Sequence, residues 1–151
     1  MHRTEKILRF LLRAMAAAES LAVCAVFMRR SWIEACHAWL GLGAFPAHPI
    51  AEYLARHLSA MYAIHAGFLW VAASDIKRHL TLVRYVAVSG LFFSALITVL
   101  DLRTGFPWFW TIGEGPLLTL LSLLMLVFLS KLRDEQRSEE FRTVSQPRCN
   151  T

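Results

Sequence analysis

The chain has 151 residues, 56% of them apolar and 18% charged, a balance shifted well beyond that of an ordinary soluble domain. Five prolines and seven glycines exclude a collagen-like or Pro/Gly-rich disordered chain, and Cys24, Cys36 and Cys149 stand at unrelated positions that form neither a disulfide framework nor a zinc motif. The formal charge of +5 would suit a nucleic-acid binder, but the basic residues sit where a membrane would put them, so no nucleic-acid partner is expected.

Four long apolar stretches follow in chain order: Ile7 to Met28, Tyr53 to Ala73, Tyr85 to Leu100 and Pro116 to Ser130. Their apolar cores run shorter than the roughly 20 residues that span hydrocarbon, so each borrows flanking residues. Arg13, Arg56, Arg84 and Lys131 lie at those ends, and their long stems can snorkel to the headgroups. The spans predicted in this way cover about residues 7–28, 53–73, 83–101 and 114–131. A soluble four-helix bundle would need a polar face on every helix. The fourth stretch, PLLTLLSLLMLVFLS, has none. The expected fold is therefore all-α, a polytopic membrane four-helix bundle over residues 1–130, followed by a charged tail over 131–151.

Glu19 interrupts the first stretch, which argues against a cleaved signal peptide. In the loop after it, Trp32, Ala35, Cys36, Trp39 and Leu40 recur at helical spacing on one face, with Glu34 and His37 away from it. This predicts a short helix lying in the outer interface, ended by Gly41, Gly43, Pro46 and Pro49. The third loop, GFPWFWTIGEGP, adds Trp108 and Trp110, so four of the five tryptophans gather at one level. The two loops form either an aromatic belt or a lid folded together over a site. In the tail, LRDEQRSEEFR alternates charge signs as a solvated helical extension does, and SQPRCNT is expected to be disordered.

Lys and Arg counts orient the spans. Twelve lie in the N-terminal segment, the second loop and the tail, whereas the first and third loops hold only Arg29, Arg30 and Arg103, with Arg56 inside a span. Both termini are thus expected on the cytoplasmic side of a cell membrane.

Ionisable groups within spans are costly and are functional candidates by default. Counted from the span ends, Glu19 and His65 reach similar depths near the midplane. A hydrogen bond between them would hold two helices together, carry protons or hold a ligand. A second cluster, Glu52, Arg56, His57, Asp101 and Glu114, converges at the outer ends if adjacent helices pack antiparallel. Arg56 paired with Asp101 or Glu114 would fix register or form a site. Gly90, Ser94, Thr98 and Asp101 recur on one face of the third span, a pattern of close helix packing more often than of a pathway. His37 and His48 could reach His57 from outside, but too few ligands support a metal site. No catalytic signature stands in the chain and no cofactor is specified.

Gly41-Leu42-Gly43 with Pro46, Pro49-Ile50, Glu52-Tyr53-Leu54, Arg56, Tyr62-Ala63, His65, Asp75, Asp101, Gly105, Pro107, Thr111 and Glu114-Gly115-Pro116 together resemble a family of small four-span bacterial membrane proteins, similar in size and plan to DoxX-like proteins. The resemblance covers roughly residues 40 to 130. It implies a four-helix membrane fold and no established activity. DoxX-like proteins are associated with quinone or thiol redox chemistry, and this chain has no paired-cysteine motif for the latter.

The first functional expectation is a non-enzymatic accessory or assembly protein. It would associate with itself or other membrane proteins through small residues such as Ala18, Ala22 and Ala25. The alternative is a membrane enzyme or binder of a quinone-like or anionic headgroup at the outer polar cluster. A proton-coupled carrier through Glu19 and His65 would require an oligomer, since four spans without inverted repeats or broken helices are too few.

Overall fold

The computed structural model describes residues 3–145, and among them there are seven helical segments and no strand: α1 (Arg3–Ser20), α2 (Ala22–Phe27), α3 (Arg30–Trp39), α4 (Pro49–Ser74), α5 (Leu80–Thr104), α6 (Trp108–Glu114) and α7 (Pro116–Ser145). Of the SQPRCNT segment expected to be disordered, Ser145 ends α7 instead and residues 146–151 lie outside the described residues. Local chemistry explains several boundaries. Pro49 opens α4 at a position where its missing N–H costs nothing, and the His48 side chain accepts from the Ile50 amide at 3.2 Å. Gly105 closes α5 in the left-handed conformation, φ 74°, so that its amide and that of Phe106 donate to the Asp101 carbonyl.

Three stretches are long and apolar enough to cross a membrane: 3–27, 80–104 and 108–139. Only 17–22% of their most apolar windows is buried, so most of that surface needs an apolar surrounding rather than a protein core. Phe92 is 75% exposed and Phe10 70%. α4 is as long as the others, at 26 residues, but is not among the three; His57, His65 and its tyrosines dilute its apolar content.

The structure departs from the sequence reading at three places. The first span is two helices, interrupted at Leu21, where the ladder is carried by three-residue steps from Leu21 to the Ala18 carbonyl and from Cys24 to the Leu21 carbonyl. Ser20 Oγ donates to the Ala16 carbonyl at 2.6 Å, a back-bond that bends helices. The third loop contains α6 rather than irregular chain. α7 passes residue 131 without a break, in line with the helical extension expected after the fourth stretch. Finally, the tail's first turns are not simply solvated, since Leu132 is fully buried and Thr4 Oγ1 donates to Glu135 at 2.8 Å.

Four rods result. α4 packs along α1 and α2, α1 against α7, and α7 against α5, while α4 and α5 touch only lightly. The dry core lies toward the end that carries the start of α1. Leu8, Leu12 and Ala16 meet Leu69, Ala72 and Ala73 there, together with Val83, Ala87, Met125 and Leu129. Alanines from three rods let the backbones come close. The other end carries the tryptophans of α3 and α6.

Candidate functional site

Beyond the dry core the rods separate between α4 and α5, which touch only lightly. A cavity of about 340 Å³ opens there, within the range of small-molecule sites. Met15 and Glu19 of α1, Met61, Tyr62 and His65 of α4, and Phe93 of α5 are among its walls, with Leu118 of α7 at the back. Its lining is mostly apolar; Ser89 stands on α5, and the titratable groups Glu19, Tyr62 and His65 gather on the side of α1 and α4.

That side is built on Glu19 and His65. His65 Nδ1 lies 2.7 Å from Glu19 Oε2, the contact expected from matching depths. When Glu19 is ionised it can only accept, so Nδ1 then carries the hydrogen and Nε2 is left as the ring's second hydrogen-bonding atom. Glu19 is the deeper of the two, its side chain 19% exposed against 45% for His65. The interruption of the first span falls two residues beyond Glu19, where Trp70 Nε1 also donates to Ser20 Oγ at 3.3 Å. Tyr62, one turn before His65 on the same face, feels the charges of both Glu19 and Glu114. Tyr62 was not singled out as a site residue from the sequence, although its three-residue spacing from His65 was the available signal.

The expected outer cluster does not assemble as one group. Arg56 pairs with neither Asp101 nor Glu114. Its guanidinium donates to Glu52 Oε1 at 2.8 and 3.0 Å, to the Met28 carbonyl at 2.7 Å and to the Val26 carbonyl. It thereby ties the outer end of α4 to orphan carbonyls at the end of α2. Arg30 extends this group, 3.6 Å from Glu52 and 2.8 Å from Glu34. Asp101 and Glu114 form a separate group near α6: Glu114 lies near enough to feel the charge of Asp101, and Asp101, 4% exposed, has one carboxylate oxygen without a partner. The physical reason for the split is that α4 lies along α1 and α2 rather than along α5. His57 stacks on Tyr53 with ring centroids 5.6 Å apart.

The stripe on α5 is a packing seam. Ser94 Oγ accepts from Thr119 Oγ1 at 2.8 Å, Thr98 Oγ1 donates to the Ser94 carbonyl at 2.6 Å, Gly90 abuts Ser122, and Gly115 abuts Thr98. Positions 90, 94 and 98 of α5 thus answer 122, 119 and 115 at the start and middle of the antiparallel rod.

The outer loops do not close together as a lid, for α3 makes no substantial contact with α6. Instead α3 turns Trp32 and Trp39 outward, the latter 84% exposed, while His37 Nδ1 meets the Gly43 carbonyl at 3.1 Å on the inner side. His37, His48 and His57 thus have separate local partners, and among the described residues no three His, Cys, Asp or Glu side chains converge as metal ligands would.

Compared with known protein families, curated proteins and solved structures, the chain matches none.

Proposed function

We propose that the chain is a four-span bundle of a bacterial cytoplasmic membrane, with both termini on the cytoplasmic side, that binds a small, largely apolar molecule with a hydrogen-bonding head between α4 and α5. The observation that carries this reading is the 340 Å³ cavity with a carboxylate-backed imidazole on one wall. α4 is the fourth span, its ends matched to those of α1 and α2, and α3 lies in the outer interface on its tryptophan face. A quinone-like headgroup fits the chemistry: a carbonyl oxygen accepts from the Tyr62 hydroxyl, and Glu19 holds the imidazole so that Nε2 faces the head, accepting from a quinol hydroxyl when the ring is neutral and donating to a carbonyl when it is protonated. This agrees with the DoxX-like resemblance and moves the binder from the outer polar cluster to the midplane pair.

The test is thermal unfolding of the full chain in lipid nanodiscs with and without a short-tailed benzoquinone. A ligand at a hundred times its Kd adds about 2.7 kcal/mol, an upward shift that Leu118→Trp, which fills the cavity, should abolish. No shift in the unmodified chain, or an equal shift in Leu118→Trp, overturns the reading.

A second reading, self-association or assembly with other membrane proteins, is favoured by the exposed alanines of α1. Ala14, Ala17 and Ala18 face away from the core, and small residues at i, i+3 and i+4 let another helix approach closely. A concentration-dependent dimer lost in Ala14→Leu/Ala18→Leu supports it; a monomer at every concentration removes it.

A further inference from the structure

A second cavity, of about 460 Å³, lies between α5 and α7 at the opposite end from the tryptophans. Arg84 projects from the first turns of α5, and Arg133 and Arg137 stand one turn apart on α7, with Leu126 and Leu129 forming the wall beneath them. Asp134 also lines it. No ion pair joins Asp134 or any other described carboxylate to these three arginines within 4.0 Å, and all four side chains belong to exposed residues. The cavity therefore combines three guanidinium groups and one carboxylate with an apolar floor. Arg56 has gathered a carboxylate and two carbonyls about itself, whereas these three are left to an anion from outside the chain.

The position specifies which anion. The apolar run of α7 ends at Ser130, and the arginines begin one residue after Leu132, so the half-buried Leu126 lies at the hydrocarbon edge and the arginines stand at headgroup depth. Guanidinium groups recognise phosphate oxygens by paired N–H donors. Phosphate chemistry at that depth, continuous with an apolar wall, belongs to a lipid. We propose that Arg84, Arg133 and Arg137 form a binding site for the phosphodiester of an anionic phospholipid, with an acyl chain lying along Leu126. This rests on the membrane-spanning reading but not on any ligand between α4 and α5.

The full chain is reconstituted into nanodiscs of equal parts phosphatidylglycerol and phosphatidylcholine, extracted into mild detergent, and its retained lipids counted by native mass spectrometry. One phosphatidylglycerol is expected to persist, with retention falling about fivefold for each arginine changed to glutamine. Lys77→Gln/Arg78→Gln/Lys131→Gln removes as many charges from the same end outside the cavity and should leave retention unchanged. Equal loss in that control, or no preference over phosphatidylcholine, overturns the site. Displacement by millimolar inorganic phosphate identifies a free anion as the occupant and overturns the lipid assignment. Failure to recover the chain in nanodiscs overturns the membrane reading as well.

Discussion

Gly115 lies so close to Thr98 that a methyl group on residue 115 would overlap the Thr98 hydroxyl and stand 3.1 Å from both Thr98 Cβ and the Thr111 carbonyl. The hydroxyl cannot easily move, because it donates to the Ser94 carbonyl at 2.6 Å. Gly115→Ala is therefore expected to push α5 and α7 apart and destabilise the fold by about 1–3 kcal/mol, the usual cost of overpacking. Gly113→Ala serves as the control, since a Cβ there meets nothing within 4 Å. Thermal unfolding in detergent should separate the two, and equal stabilities would mean that the seam is loose.

Arg56 makes three further predictions. Arg56→Ala removes charge-assisted hydrogen bonds that serve Glu52 and two backbone carbonyls, and should cost about 2–3 kcal/mol. Arg56→Lys should recover only part of this, because an ammonium lacks the planar fork that reaches carboxylate and carbonyls together. Since Asp101 belongs to a different group, Arg56→Ala and Asp101→Asn should add to within about 0.5 kcal/mol. Strong coupling in denaturant unfolding would restore the pair expected from sequence.

The contrast between these two sites shows what was legible without coordinates. Periodicity placed Gly90, Ser94 and Thr98 on one face, and any helix packed there would meet them, so the stripe was readable as a seam. Depth counted from the charged ends placed Glu19 level with His65, because the rise per residue is the same in every helix. The partner of Arg56 depends instead on which rods are neighbours, and composition does not encode that. The cavity was equally hidden, since it is a gap left where α4 and α5 fail to pack. α6 was missed because its aromatic run lies between Gly105-Phe106-Pro107 and Gly115-Pro116, turn-like flanks that masked seven helical residues.

Glu19 and His65 should be energetically coupled if the 2.7 Å contact persists in a bilayer. A double-mutant cycle with Glu19→Leu and His65→Phe is expected to give about 0.6–1.7 kcal/mol, the range for hydrogen bonds between membrane helices. The sign matters more than the size. Glu19→Gln keeps an acceptor for Nδ1–H and should cost less than Glu19→Leu, which leaves the imidazole facing an apolar side chain. If Glu19→Leu is as stable as the parent, the pair contributes nothing to the fold and its retention would have to come from ligand binding.

The number of crossings can be decided by one short turn. α4 and α5 are joined at Asp75, whose carboxylate accepts from the Arg78 amide at 3.1 Å while its carbonyl meets His79 Nδ1 at 2.8 Å. If α4 spans, this turn is cytoplasmic; if only the three more apolar stretches span, it lies on the side of α3. Cys24 and Cys36 are both exposed and free, so a membrane-impermeant maleimide applied to intact cells should label Cys36 in the outward-turned helix. On a background with the native cysteines changed to serine, Lys77→Cys and Ser138→Cys should be labelled only after permeabilisation. Labelling of Lys77→Cys in intact cells would remove α4 from the membrane. The cavity would then lose one wall of its lipid-buried setting, because Tyr62 and His65 would hang from a helix in water. The apolar molecule proposed for that cavity requires all four rods to cross, so the labelling pattern at residue 77 tests the site as directly as the fold.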